Sequence, residues 1–291
     1  MVQLEHGRPF DSRATIAWLG ARAVAGVEHA DGDTYARTLR LGTGHAVVHL
    51  QPSVDAASIA LRAWLSDDGD IDDGDIDDAV RRCRALFDLD ADSVLIDRGL
   101  SADGGLAALV AARPGLRVPG AADGFELAVR AVLGQQVSVA AARTFARRLT
   151  QQFGTRVDNE HPQLTHLFPA PHDLLDAPVE SIGITAHRAA TLRSLARAVV
   201  DGRLSLARDR TVSSESMQHL RALPGVGEWT AGYIAMRALG DPDVLLAGDL
   251  GLLRSARGLG LPDARRDLLE HSMRWRPWRS YATMHLWAAQ G

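Results

Sequence analysis

The stretch MQHLRALPGVGEWTAGYIAMRALGDPDVLLAGDL, residues 217–250, carries the pattern from which the rest of the chain is read. Gln218 to Leu223 is rich in helix formers and places Leu220 and Leu223 on one face, while Trp229 to Leu239 runs without a breaker until Gly240 and Pro242. Between them stands the short segment Leu223-Pro224-Gly225-Val226-Gly227, so the stretch predicts two helices joined by a glycine hairpin. Without side chains, Gly225 and Gly227 are expected to take positive φ and let the backbone come close to a ligand. The N–H groups that open the second helix have no intrahelical partner, which makes the turn an anion site suited to phosphate. Asp249 follows the apolar run Val244 to Ala247 and precedes Leu250-Gly251-Leu252-Leu253. That is an N-cap position, from which a carboxylate can face a cleft.

A chain of 291 residues, 46% of them hydrophobic, has material for about two domains with cores of their own. Its single cysteine, Cys83, can form neither an internal disulfide nor a four-cysteine zinc or iron–sulfur site. No stretch approaches the roughly 20 apolar residues of a membrane span, and the N-terminus lacks a basic-then-apolar signal, so a cytoplasmic protein is expected. A net charge of −4 argues against a uniformly basic nucleic-acid binder, but its distribution is uneven. Residues 1–118 carry 12 Arg against 19 acids, a balance of −7, and residues 119–291 carry 20 Arg against 17 acids, a balance of +3. The positive excess lies with the hairpin. All 32 basic residues are arginine.

Before the hairpin, Ser12 to Val24 reads as an amphipathic helix, and Thr38–Leu41 and His45–Leu50 read as strands around the turn Gly42-Thr43-Gly44. The acidic repeat from Asp67 to Asp78 lacks the closing glutamate of a calcium loop, and its charge density predicts a solvated segment whose last aspartates cap a helix beginning near Ala79. From Leu100 onward the pattern is almost wholly helical. Helices are expected at Gly124–Leu133, Val137–Phe153 (capped by Ser138), Ala186–Asp201, Asp249–Gly258, Ala264–Met273 and Arg279–Ala289, with a proline- and histidine-rich connection from Val157 to Pro178. The fold class is α+β, with a small α/β domain over residues 1–99 and a helical region over 100–291 whose two subdomains flank a cleft.

LPGVGEWTA with an aspartate about twenty residues later resembles the helix-hairpin-helix superfamily of DNA glycosylases, and the longer match is to the bacterial 3-methyladenine DNA glycosylase II family. Further matching stretches are Ala21-Arg22-Ala23-Val24, Tyr35-Ala36-Arg37, Ala112-Arg113-Pro114-Gly115-Leu116-Arg117, Leu133-Gly134-Gln135, Trp275-Arg276-Pro277-Trp278-Arg279-Ser280-Tyr281 and His285-Leu286-Trp287. The resemblance implies that the small first domain is TBP-like and that Asp249 is the catalytic carboxylate. It also implies a base pocket lined by Trp18, Gln135, Trp229, Tyr233 and Trp287. DNA would be held by Gly225, Val226, Gly227 and Thr230 of the hairpin and by Gln136, which stands where a compared member has leucine as the minor-groove wedge. The carbonyls of Arg221, Leu223 and Val226 would hold a structural Na+ or K+, the protein otherwise needing no cofactor. Arg279 and Ser280 either orient Asp249 or cap the last helix.

Superfamily members that also cut the DNA backbone carry at the position of Trp229 a lysine, the residue that forms the Schiff base starting strand cleavage. The expectation is therefore a monomeric, monofunctional enzyme that flips alkylated, cationic purines out of duplex DNA and hydrolyses the N-glycosidic bond. A base alkylated at a ring nitrogen is already a good leaving group, so one carboxylate suffices. Two alternatives stay open, a catalytically silent DNA-binding protein of the same fold and a bifunctional oxidised-base glycosylase. Fusion to a methyl-accepting repair domain, as in some relatives, also stays open.

Overall fold

A computed structural model describes residues 1–53, 56–66, 72–208 and 214–290. Its first part is an antiparallel sheet of β1 (Val2–Glu5), β2 (Glu28–Asp31), β3 (Thr34–Arg40), β4 (His45–Pro52) and β5 (Ser58–Leu65), in the order β1-β5-β4-β3-β2, with α1 (Ser12–Gly20) between β1 and β2 in sequence. The expected hairpin is present, with Leu39 opposite Ala46 and Arg40 opposite His45. Alternation along the strands sends Tyr35, Leu39, Val48, Leu50, Ile59 and Leu61 to one face. There Ile16 and Leu19 of α1 and Ala79, Cys83 and Leu86 of α2 (Asp73–Leu86) close a core. Burial pushes the Cys83 thiol up to about 12, so this cysteine is a core residue without nucleophilic character.

Helix α2 starts six residues earlier than the charge pattern predicts. Asp72 caps it by accepting from Asp75 N at 3.0 Å, and Asp75 is buried, accepting from Gly42 N at 2.7 Å and from the Thr43 hydroxyl. Part of the acidic repeat thus locks the β3–β4 turn instead of lying in solvent. Residues 67–71 of the repeat lie outside the described residues.

The helical part comprises α3 (Ser93–Ser101), α4 (Gly104–Ala112), α5 (Gly124–Leu133), α6 (Val139–Phe153), a two-stranded ribbon of β6 (Thr155–Arg156) and β7 (His166–Leu167), α7 (Ala186–Val200), α8 (Ser214–Ala222), α9 (Glu228–Ile234), α10 (Leu250–Gly258), α11 (Arg265–His271) and α12 (Arg279–Ala288). A π-helical turn, Ala235–Leu239, continues α9 and ends at Gly240 with φ 78°. The connection after α6 is not free. It folds back so that Thr165 N donates to Gly26 O at 2.8 Å and the Thr38 hydroxyl to His166 O at 2.7 Å, with Leu164 packed on Ala36 and Val47.

Two apolar clusters organise the helices. Residues of α5, α6, α7 and α9 with Leu220 of α8 form one, and residues of α3, α4, α10 and α12 with Met236, Leu246, Leu268 and Trp275 form the other. Helix α3 packs with the C-terminal helices through Ile96 and Leu100, so a division between residues 99 and 100 would cut it. A buried ionic cluster ties the sheet to α5: Arg37 reaches Glu126 at 2.6 Å, and Arg130 reaches Glu28 at 2.8 Å and Glu126 at 2.7 Å. Removing one member would strand an opposite charge inside the protein, at a cost of about 3–5 kcal/mol.

On α12, His285 is 1% exposed and neither ring nitrogen has a hydrogen-bond partner among the described residues. Burial, reinforced by the charge of Arg113, pushes the imidazole down to about 4 from its ordinary 6.5. Because the folded value lies below the unfolded one, protonation favours the unfolded chain. Stability should be full above about pH 6.5 and fall toward pH 4, by up to about 3 kcal/mol from this residue. Urea unfolding of wild type and His285→Leu across that range checks it. Parallel pH curves for the two proteins would show that His285 does not titrate on unfolding.

Candidate active site

The glycine turn braces itself against its neighbours before it meets any ligand. Gly225 has φ 83°, and a Cβ built there would lie 2.0 Å from Thr191 Oγ1 on α7, so both the conformation and the space exclude a side chain. Gly227 differs from the expectation: its φ is −84°, and a Cβ there would meet nothing within 4 Å. Glycine at this position is an opening toward solvent and not a conformational necessity. Gly227 is the N-cap of α9 without a side-chain cap, and the N–H groups of Glu228 and Trp229 donate to no described residue. They remain available to an anion.

The turn between α5 and α6 stands beside this one. Gln135 Nε2 donates to Gly225 O at 2.8 Å and to Thr230 Oγ1 at 3.0 Å, while Arg188 donates to Gln135 O at 2.7 Å. The Gln135 amide, expected to face the substrate, is thus a strut between two turns. Thr230 is corrected in the same way, since it is 3% exposed and its hydroxyl already accepts from Gln135. Only its backbone N–H, in the first turn of α9, can serve an anion. Val226 is buried in the apolar cluster beneath the hairpin. Gln136 is exposed at the tip of the α5–α6 turn with φ 55°, an unusual conformation for a residue with a side chain.

The loop after the π turn delivers Asp249 as the N-cap of α10, where Leu252 N donates to its Oδ1 at 2.9 Å. Trp229 Nε1 donates to Oδ2 at 3.0 Å and Trp287 Nε1 to Oδ1 at 3.3 Å. Three elements, α9, α10 and α12, therefore converge on one carboxylate. Tyr233 lies one helical turn past Trp229, stacked on it with centroids 5.2 Å apart and planes 8° from parallel, and tilted against Trp287 at 6.3 Å. All four residues are only partly buried. A carboxylate among partly exposed rings is a place where a planar cationic or cation-forming group is held and its charge balanced.

Arg279 and Ser280 do neither thing expected of them. Arg279 donates to Asp243 Oδ1 at 2.7 Å, and the Ser280 hydroxyl donates to Asp241 O at 2.7 Å and accepts from Val244 N at 2.9 Å. They pin residues 241–244, the start of the loop that leads to α10, and touch neither Asp249 nor its partners. Trp18 of α1 reaches the same region, but guanidiniums occupy its surroundings, with Arg22 3.8 Å and Arg237 4.1 Å from its ring. It supports the pocket more than it offers a free face. Arg237, missed in the sequence, shares its helix face with Trp229 and Tyr233 by spacings of eight and four residues, which is the signal that points to it.

A cavity of about 440 Å3 lies elsewhere, beside Leu223 and Pro224, among Arg193, Arg197, Arg203 and His219, and shares no residue with the aromatic cleft. Among the described residues no cluster of three or more His, Cys, Asp or Glu side chains stands at metal-binding spacing. No described helix is long and apolar enough to cross a membrane.

A family model described as the AlkA N-terminal domain matches residues 1–123, and one described as the HhH-GPD superfamily base excision DNA repair protein matches residues 129–278. The chain is 45% identical over 280 residues to the "probable bifunctional transcriptional activator/DNA repair enzyme AlkA" of Mycobacterium tuberculosis (strain H37Rv), covering 96% of this chain and 55% of that protein. It thus spans about half the length of that relative. It is 36% identical over 294 residues to DNA-3-methyladenine glycosylase 2 of Escherichia coli K12, covering 100% of this chain and 98% of that one. In structure it is similar to a 3-methyladenine DNA glycosylase from Archaeoglobus fulgidus, with a TM-score of 0.84 over 100% and 98% of the two chains at 18% identity, which speaks for the fold alone.

Proposed function

Because this chain belongs to the HhH-GPD superfamily of base excision DNA repair proteins and carries an AlkA-type N-terminal domain, we propose that it is a monofunctional DNA glycosylase. Its substrates are cationic alkylated purines extruded from duplex DNA. The observation that carries this reading is the Asp249 carboxylate, held on both oxygens by indoles that also form the cleft wall. A pure backbone binder has no use for such an arrangement.

As the N-glycosidic bond lengthens, the sugar acquires oxocarbenium character at C1′, and the fixed negative charge of Asp249 stabilises it or orients the attacking water. The Trp229 and Trp287 N–H groups hold the carboxylate in place. The ring faces of Trp229, Tyr233 and Trp287 favour a positively charged purine over its neutral parent. Selection for damage then begins with charge and continues with the lower cost of unpairing a damaged base. The hairpin grips phosphate through the free N–H groups at the start of α9, independent of sequence. Gln136 fills the space left by the extruded nucleotide.

The carbonyl set of Arg221, Leu223 and Val226 suits a monovalent cation between hairpin and phosphate. Arg221 O lies in the last turn of α8, where Pro224 has no N–H to offer it, and among the described residues Leu223 O accepts only from Val226 N, at 3.1 Å, which leaves lone pairs for an ion. Such an ion would add positive charge facing the DNA backbone.

The chain has no lysine, and the strand-cleaving members' lysine position is occupied by Trp229. Incubation with methylated duplex DNA should release free alkylpurine and leave an intact strand with an abasic site, which alkali then breaks, and borohydride should trap no protein–DNA adduct. Absence of base release would overturn the glycosylase reading. An adduct formed at the rate of base release would overturn the water mechanism.

A further inference from the structure

We propose that the Tyr233 hydroxyl donates a hydrogen bond to the departing base and that Arg237 is the positioning residue that aims it, a contact that serves bases leaving as anions. The proposal rests on the glycosylase reading above. A guanidinium has donors and no acceptor, so in the 2.7 Å contact between Arg237 Nη1 and the Tyr233 oxygen the phenol must accept. The phenolic hydrogen is then turned away from Arg237 and has no acceptor among the described residues. Tyr233 stands in the cleft wall with Trp229 and Trp287, both bound to Asp249, so an acceptor on an extruded base is the partner the geometry offers.

Arg237 is built to hold one direction. It is 4% exposed, its Nε donates to Pro119 O at 2.6 Å and its Nη2 to Gly120 O at 2.8 Å, and its plane lies against Trp18. With two corners of a rigid fork bound to backbone, the third points at Tyr233 and cannot swing away. Burial alone would raise the pKa of the phenol, yet the charges of Arg237 and Arg22 and the hydrogen bond from Arg237 outweigh it and hold that pKa below its usual value. A more acidic O–H is a stronger donor.

This end of the pocket therefore opposes the aromatic faces in its charge preference. A cationic purine leaves as a neutral molecule and gains little from a donor. A neutral base leaves with the electron pair of the C1′–N bond, and a donor backed by two guanidiniums stabilises that developing negative charge. Water supplies the oxygen to C1′, and the proton it releases ends on the base, so Tyr233 lends a hydrogen bond and no net proton.

The test compares single-turnover base release from two duplexes, one with a single hypoxanthine and one with a single 7-methylguanine. Tyr233→Phe keeps the ring and removes the donor, and it should lower the ratio of hypoxanthine to 7-methylguanine release about ten- to hundredfold. Arg237→Met should lower the same ratio. Tyr233→Phe is the milder change and decides the matter where Arg237→Met folds poorly. A ratio unchanged by Tyr233→Phe, or a wild type that releases 7-methylguanine but no hypoxanthine, overturns the proposal while leaving the glycosylase reading intact. A wild type that releases neither base overturns both.

Discussion

Replacing Asp249 by asparagine should lower base release by about a thousandfold or more while leaving the protein folded and bound to DNA. The separation of these effects follows from what the side chain does. As the N-cap of α10 it accepts from Leu252 N, a task asparagine performs as well as aspartate, so helix stability should barely change. The amide oxygen, in the place of Oδ1, also still accepts from the Trp287 indole, while the amide nitrogen, in the place of Oδ2, loses the bond from Trp229 Nε1. What disappears is the full negative charge that the proposed mechanism sets against C1′. Single-turnover release from methylated duplex, measured beside an equilibrium binding curve, shows both halves at once. Undiminished turnover would remove Asp249 from the mechanism.

Gly225→Ala should damage the protein in a different way. Its Cβ would fall 2.0 Å from Thr191 Oγ1 while the backbone stays at φ 83°, so steric overlap adds to left-handed strain, together on the order of 2–4 kcal/mol, and the hairpin must shift. Binding to damaged and undamaged DNA should fall alike, because the hairpin meets backbone and not base. Gly227→Glu is its counterpart. Its site is open and its φ ordinary, and a carboxylate at the start of α9 suits the helix dipole, so stability should hold or rise. Affinity should nonetheless drop as like charge meets phosphate, with the salt dependence shallower by about one ion. Thermal melts beside binding titrations at several salt concentrations separate the two variants. Wild-type stability in Gly225→Ala would show that the overlap is relieved without cost, and a loss confined to damaged DNA would show that the hairpin does not hold the backbone.

The two variants also mark where reading by residue type stops. Both glycines look alike in sequence, and only the fold reveals that α7 crowds one and leaves the other open. The acidic repeat misled for a related reason: charge density predicts solvent, but the burial of Asp75 depends on a β-turn 32 residues earlier that needs an acceptor for Gly42 N and Thr43. Strands β1, β2 and β5 carry too weak an alternation to be read singly. They become strands by pairing with the strong β3–β4 hairpin.

By itself the sequence determined the elements whose causes are local: the hairpin, from proline and glycine between two helical periods, and the capping place of Asp249. The shared face of Trp229 and Tyr233 and the absence of any lysine are equally local. Tertiary structure alone decided which donors reach which acceptors. Gln135 and Thr230 were expected at the ligand and instead satisfy each other and Gly225 O, because buried polar groups brought together must pair. Trp18 was expected to offer a face and is covered by Arg22, four residues further on, and by Arg237, which arrives from a part of the chain that sequence proximity does not connect to it. Arg279 and Ser280 were expected at Asp249 or at a helix end, and they hold the preceding loop instead. Periodicity reports which side of an element is apolar, whereas the partner of a buried polar group is set by the packing of elements far apart in the chain.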